Sequence, residues 1–273
     1  MDLSRVIGLG VAGNFAGHLE QAGEAADFSA VKAAAGAPKA VFPFYLPGKC
    51  DSFLSVYPLS SDTISYPEGA DRLQIEPEIG VIFSISYVGD QVMALSAQSF
   101  GAYNDCSIRR AGAKKISQKK NWGACSKGFS AMTVPIDSFS PGGVLDDYRI
   151  ASFLIRDGRC HAYGIDSAVR DYSYIYGQLT DWIVDRLNNQ KDEGPVENIH
   201  DYLTELERPS HCLISIGATR YTEFGSGNYL KKGDLSVVTV YSGKEHTPQQ
   251  VEELVASGRF EELGCPTLAQ KVV

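Results

Sequence analysis

No two cysteines are spaced Cys-x-x-Cys and no two histidines stand at ligand spacing, and these gaps narrow the chemistry first. Six cysteines (Cys50, Cys106, Cys125, Cys160, Cys212 and Cys265) are scattered through 273 residues. That pattern fits neither a thiolate zinc site nor a small disulfide scaffold, so they read as reduced thiols. His161, His200, His211 and His246 read as structural or surface residues. Basic charge is also short: 25 Lys and Arg against 33 Asp and Glu leave a net charge of −8. Nucleic acid is therefore not expected as a partner, because phosphate binding needs a basic surface. The densest basic stretch, Lys114-Lys115 with Lys119-Lys120, reads as a solvated loop. No apolar run approaches the roughly 18–20 residues of a membrane helix. The opening MDLSRVIGLG lacks a long apolar stretch followed by a small-residue cleavage site, so no membrane partner and a cytoplasmic location are expected. Ser107 and Ser126 lack a Gly-x-Ser-x-Gly elbow, which argues against a serine hydrolase.

What is present is ordinary for a globular protein, with 44% hydrophobic and 21% charged residues, and the length permits a sizeable core. Residues 1–45 are rich in glycine and alanine. They read as a short apolar start, a glycine loop, a helix-like segment over 14–23 and another over 28–35. Pro38, Pro43 and Pro47 then predict an irregular connector. Strand character covers 73–87, 91–99, 148–156, 211–216 and 235–241. Asp157-Gly158 predicts a type I′ hairpin turn, since both residues tolerate positive φ. Residues 170–207 read as helical, with Ile175, Leu179, Trp182, Ile183 and Leu187 at helical spacing and a break at Gly194-Pro195. Thr247 as N-cap, Pro248 in the first turn and Val251, Leu254 and Val255 on one face predict a last helix over 247–257. Trp122, Trp182, Tyr172, Tyr174 and Tyr176 read as packing residues. Strands with a few inserted helices and no repeat make the fold class α+β and strand-rich, not doubly wound.

The chemistry begins at Glu76-Pro77-Glu78. Side chains two apart on a strand share a face, so two like charges meet at the edge of an apolar run and call for a cation. Pro77 cannot donate to a sheet ladder, which places the pair at a strand start or an open edge. Asp105 follows the strand over 91–99, which is expected to pair with the segment carrying the glutamates. Three carboxylates without a thiolate or imidazole suit a hard cation: Mg²⁺, or Mn²⁺ or Ca²⁺. Gly8-Leu9-Gly10-Val11-Ala12-Gly13 matches Gly-x-Gly-x-x-Gly, but no second strand ending in an acid follows some 20 residues on. The glycines are expected instead to form a loop leading a short helix over a site.

Several segments then fall in a familiar order. They are Gly13-Asn14-Phe15-Ala16-Gly17-His18, Asp62-Thr63-Ile64 with Pro67, Leu73 to Ile82 around the glutamate pair, and Asn104-Asp105-Cys106-Ser107-Ile108-Arg109. Trp122 with Lys127-Gly128-Phe129, Ile216-Gly217-Ala218-Thr219 and Leu230-Lys231-Lys232-Gly233-Asp234 follow. From about residue 6 to 241 this series resembles the fumarylacetoacetate hydrolase family. The resemblance implies a mixed β-sandwich roll with short peripheral helices and one divalent metal held by Glu76, Glu78 and Asp105. It implies that Lys127 stabilises substrate charge and that His18, on a lid helix with Glu20 nearby, activates water. Arg109, Gly217 and Thr219 would meet the substrate, a small oxo or diketo acid. Residues 1–45 would form the glycine-rich loop and lid, and 46–273 the metal-binding roll, in one structural domain that pairs as a homodimer.

The chain departs from the family pattern at named places. Gln21 stands where the family has a Glu three residues after the lid His, and Glu20 is one short. Lys-x-Phe-Asp becomes Lys127-Gly128-Phe129-Ser130, Arg-Asp becomes Arg109-Arg110, and Gly-Thr-Pro becomes Gly217-Ala218-Thr219. The leading expectation is C–C bond hydrolysis through a metal-bound enolate. Decarboxylation or isomerisation on the same scaffold, a non-catalytic metal- or acid-binding relative, and a nicotinamide oxidoreductase stay as alternatives.

Overall fold

In a computed structural model the chain is described at residues 1–28, 31, 33–49, 51–70, 72–110 and 112–273. Among these residues the strands are β1 (Ile7–Ala12), β2 (Ala40–Tyr45), β3 (Leu59–Ser60), β4 (Thr63–Ile64), β5 (Leu73–Gln74), β6 (Pro77–Val88), β7 (Gln91–Asn104), β8 (Ser107–Ile108), β9 (Lys127–Phe129), β10 (Val134–Pro135), β11 (Tyr148–Arg156), β12 (Arg159–Ala168), β13 (His211–Ser215), β14 (Leu235–Ser242) and β15 (Thr267–Val272). The α-helices are α1 (His18–Gln21), α2 (Tyr176–Asn189), α3 (Ile199–Glu205), α4 (Glu223–Gly227) and α5 (Pro248–Ala256). A mixed eight-stranded sheet runs β2-β1-β13-β6-β7-β9-β3, with β10 on β7; a five-stranded sheet runs β12-β11-β14-β15-β4, and β5 pairs β8. The fold is strand-rich α+β, as the sequence pattern predicts. No helix among the described residues is long and apolar enough to cross a membrane.

Alternation along β6 explains how the sheets pack. Ile79, Val81, Phe83 and Ile85 meet Ile150, Leu154, Val238 and Val240 of the second sheet in one core. Ile82, pointing the other way, packs with Phe42, Phe44 and Phe129. Each such buried side chain contributes roughly 1.5–3 kcal/mol. Helix α5 covers the outer face of the five-stranded sheet with Val251 and Val255. Its Thr247 and Gln250 form the expected capping box, and Asp157 and Gly158 turn the β11–β12 hairpin at φ 51° and 74°.

Three expectations are corrected. The glycine run is not a loop: Gly8 and Gly10 lie within β1, where the rings of Phe44 and Phe42 occupy the space a Cβ would need. The dinucleotide reading therefore has no phosphate loop. The proline-rich connector contains β2, which tolerates Pro43 because it is an edge strand. The helix over 14–23 shrinks to the four residues of α1, bounded by Gly17 and Gly23 at φ 82° and 71°. The expected helical piece over 28–35 falls partly on residues 29, 30 and 32, outside the described set as Cys50 is; a 3₁₀ turn, Ala25–Phe28, ends where it would begin. Residues 1–45 thus supply two strands of the main sheet, with α1 between them.

Strand direction then fixes where the site lies. β13 and β7 both run against β6, β1 runs parallel to β13, and β9 runs against β7. The start of β6, the ends of β7, β13 and β1 and the start of β9 therefore meet at one end of the sheet. A 3₁₀ turn, Ile116–Lys119, closes over that end. It is held by Ile116 N–H on the Pro195 carbonyl (3.0 Å) and by Ser117 Oγ on the Glu197 carboxylate.

Burial raises the Glu197 carboxyl from 4.5 to about 7. Between those values the folded chain holds a proton that the unfolded chain has lost, so stability falls as pH rises through that window. Glu197→Gln should exceed the wild type in urea-unfolding stability by about 3 kcal/mol at pH 8, with the gap closing below pH 4.5. A pH-independent gap would refute this assignment.

Candidate active site

Glu76 immediately precedes β6 and Glu78 is its second residue, so the two carboxylates share a face. Pro77 opens the strand opposite Asn104, which selects the strand start over the open edge. Asp105 follows β7, and its N–H donates to the Glu76 carbonyl at 2.9 Å. The Asn104 side chain accepts from Glu76 N–H (3.1 Å) and donates to Gln270 Oε1 (3.1 Å), which pins the turn. One carboxylate oxygen from each of Glu76, Glu78 and Asp105 lies within 4.8 Å of the others, and all three residues are buried. Burial first, then the charges of Asp105 and Glu76, push the Glu78 carboxyl well above its usual range. Burial opposes the Glu76 carboxylate too, but Lys120 and Arg109 outweigh it and hold that carboxyl well below its usual range. Glu76 Oε1 and both Asp105 oxygens are buried without a hydrogen bond. Arg109 Nη2 stands 2.6 Å from Glu76 Oε1 and Lys127 Nζ 3.4 Å from Asp105 Oδ1, close as ion pairs but outside hydrogen-bonding geometry. All-oxygen and mutually repelling, the donor set fits a hard divalent cation.

The cations are the main surprise. Lys119 and Lys120, expected on a solvated loop, are 7% and 4% exposed. Lys120 Nζ donates to Glu76 Oε2 at 2.6 Å, contacts Asp105 Oδ2, and lies 5.3 Å from the centre of the Phe42 ring. Lys127, at the start of β9, donates to the Cys106 carbonyl and sits 5.0 Å from the centre of the Trp122 ring; burial lowers its pKa. Arg109 is engaged at every nitrogen. Nε donates to Gln74 (2.7 Å), Nη1 to Glu24 (2.9 Å) and Nη2 to the Tyr221 hydroxyl (2.8 Å). Glu24 also pairs with Lys119 at 3.3 Å.

His18 is buried on α1. Its Nδ1 lies 2.9 Å from the Thr219 carbonyl. A carbonyl only accepts, so Nδ1 carries the proton and Nε2 keeps its lone pair. That nitrogen faces the carboxylates, 4.0 Å from Glu76 Oε1. Burial lowers the His18 pKa, which favours the neutral ring. Glu20 is exposed and does not reach the ring. On a helix i+2 turns away from i, as the sequence warned. Gln21 fastens the lid instead, accepting from Tyr221 N–H (2.9 Å) and donating to its carbonyl (3.3 Å). Gly217 N–H donates to Glu78 Oε2 at 2.8 Å, and its carbonyl accepts from the Tyr172 hydroxyl at 2.6 Å. Thr219 Oγ1 is buried and unpartnered.

Sequence reading missed Glu24, Lys119 and Lys120. The lysines did leave a signal, since the basic stretch runs directly into Trp122 and Lys127. Together these groups close a cavity of about 20 Å³ bordered by His18, Glu24, Phe42, Glu78, Asp105 and Lys120, on the order of one water molecule. A roomier groove of about 260 Å³ lies beside Arg186 and Pro195, and none of the three carboxylates lines it.

Asn14 locks the lid to the end of β13. It donates to the carbonyls of Ile216 (2.8 Å) and Tyr174 (2.9 Å) and accepts from Tyr174 N–H (2.9 Å). Asn14→Ala should cost about 2–3 kcal/mol in chemical denaturation; a loss under 0.5 kcal/mol would rule this lock out. Nitrogen NMR of His18 should show a protonated Nδ1 and a bare Nε2 at neutral pH, titrating below the ordinary histidine range. The opposite tautomer would overturn the geometry of the base.

Comparison with known proteins follows this geometry. A family model described as "Family of unknown function (DUF5718)" matches residues 24–272. No curated protein matches the chain. Among solved structures, a fumarylacetoacetate hydrolase family assignment from Yersinia pestis CO92 is 13% identical, covering 98% of this chain and 94% of that one at TM-score 0.52. The 5-carboxymethyl-2-hydroxymuconate delta-isomerase from Mycobacterium smegmatis is 14% identical, with coverage of 98% and 78% and TM-score 0.53. A 2-keto-3-deoxy-D-arabinonate dehydratase complexed with magnesium and 2,5-dioxopentanoate is also 14% identical, with coverage of 97% and 72% and TM-score 0.52. The chain therefore has the fold of the fumarylacetoacetate hydrolases and belongs to the family described as a family of unknown function, DUF5718.

Proposed function

We propose that the chain is a divalent-metal-dependent enzyme that hydrolyses a C–C bond of a small oxo or diketo acid. The observation that carries this reading is a neutral imidazole of one tautomer facing three converging carboxylates across a small cavity. Glu76, Glu78 and Asp105 are the metal ligands, and Mg²⁺ is the expected ion, with Mn²⁺ or Ca²⁺ suited to the same oxygens. The magnesium and oxo-acid complex of the dehydratase neighbour supports the pairing of ion and substrate class. A divalent ion there would supply Lewis-acid polarisation of the substrate oxygens. His18 Nε2 takes a proton from water at its lone pair. Lys127 places positive charge beside the cluster, in a dry site where it counts most. Gly217 and Thr219 act chiefly through their backbone, holding Glu78 and His18, while Thr219 Oγ1 stays free for substrate. Arg109 is a positioning residue that joins Glu24 to Glu76. An acidic small molecule as the ligand, a one-domain cytoplasmic homodimer and no nucleic-acid or membrane partner belong to the same proposal.

A second reading, a non-catalytic binder of metal or small acids, draws on two observations: Glu20 lies away from His18, and every Arg109 nitrogen is already engaged. A turnover screen with acylpyruvates and oxaloacetate in Mg²⁺ or Mn²⁺ separates the two. Enzymatic activity should fall about 10²–10⁴-fold in His18→Ala with metal content retained. Metal-loaded protein that turns over none of these acids would leave the binder reading. Unchanged metal content in Glu76→Ala/Glu78→Ala would defeat the metal site itself.

A further inference from the structure

The metal-site reading, on which this inference rests, leaves Lys120 unexplained. Its ammonium touches two of the three candidate ligands, Glu76 and Asp105, at one oxygen each. It is nearly sealed from solvent and roofed by Phe42. Around the cavity the carboxylates of Glu24, Glu76, Glu78 and Asp105 face the cationic side chains of Arg109, Lys119, Lys120 and Lys127. Lys120 alone among these cations engages two metal-ligand candidates at once.

We propose that Lys120 is a displaceable internal cation, bridging Glu76 and Asp105 in the metal-free protein and yielding that place to the divalent ion. Two facts favour the exchange. The ammonium already holds Glu76 Oε2 and contacts Asp105 Oδ2. A dication and an ammonium a few ångströms apart in a poorly screened pocket also repel strongly. Glu24 borders the same cavity and, although already paired with Arg109 and Lys119 through Oε1, is the carboxylate outside the proposed ligand set that would receive the displaced ammonium. The metal-free site is thus closed and charge-matched, and metal uptake is coupled to movement of the 3₁₀ turn, Ile116–Lys119, that precedes Lys120.

Mn²⁺ titration followed by electron paramagnetic resonance tests this on the wild type, Lys120→Met and Lys120→Gln. Both variants should bind Mn²⁺ about tenfold more tightly or better. Metal-free Lys120→Met should melt lower than the wild type and regain more on saturation with Mn²⁺. Wild-type binding with equal or weaker affinity in both variants would overturn the role of Lys120 while leaving the metal site standing. No Mn²⁺ binding in any of the three proteins would bring down both readings. A fold-independent check is acetylation of wild-type lysines by an N-hydroxysuccinimide ester, read by mass spectrometry. Lys120 should be protected without Mn²⁺ and react faster with it; equal protection in both states would also overturn the exchange.

Discussion

The structure depends on three carboxylates held together at the paired ends of β6 and β7. The register that sets Pro77 opposite Asn104 brings Glu76, Glu78 and Asp105 to one buried spot. A slip of one residue would turn Glu78 to the other face of the sheet. Like charges removed from water are costly, so their surroundings are built to answer them. Asn104 and Gln270 lock the turn between strand ends. Arg109, Lys120 and Lys127 arrive from three different segments to offset the charge. Each is itself buried, so carboxylates and cations justify one another: removing either set alone leaves the other unpaired.

The same logic extends to His18. One short backbone turn after β13 serves two side chains, with Gly217 N–H on Glu78 and the Thr219 carbonyl on His18. The distance between imidazole and carboxylates is therefore set by a few peptide units rather than by long flexible side chains. A carbonyl is also a fixed acceptor: it selects one tautomer and asks for no charge of its own. That removes the need for an acid at the Gln21 position and frees Gln21 to bind the lid to Tyr221.

Most of the sheet was legible because its strands alternate or carry β-branched runs, as at Tyr148–Arg156, which was placed to the residue. Legibility failed where burial on both faces erased alternation. The last residues of β7, from Phe100 to Asn104, are all buried and were not placed in the strand. It failed at β1 and β2 for a different reason: glycine and proline argue for loops unless aromatic rings fill the glycine gaps and the proline lies on an edge. The carboxylate triad was legible because two of its members are adjacent on a strand and the third follows the partner strand. Lys119, Lys120 and Glu24 were not, because a charged residue in a polar stretch looks solvated until distant carboxylates are folded against it.

The site's smallness bears on how it works. A cavity with room for about one water does not admit an oxo acid of several carbons. Under the proposed function, entry of such an acid would require α1 to leave its place, and the backbone around that helix is suited to it. The helix is only four residues long, Gly13, Gly17 and Gly23 around it hold positive φ, and its outer residue Glu20 makes no anchor. The helix is held by Leu19, buried in the cluster with Phe28, Phe42 and Phe44, and by polar links: Asn14, the Gln21–Tyr221 pair and the His18–Thr219 bond. The last of these also orients the imidazole. Under the proposed function, displacing α1 would break the His18–Thr219 contact and returning it would restore that contact, so His18 would be aligned over the carboxylates only with bulk water excluded.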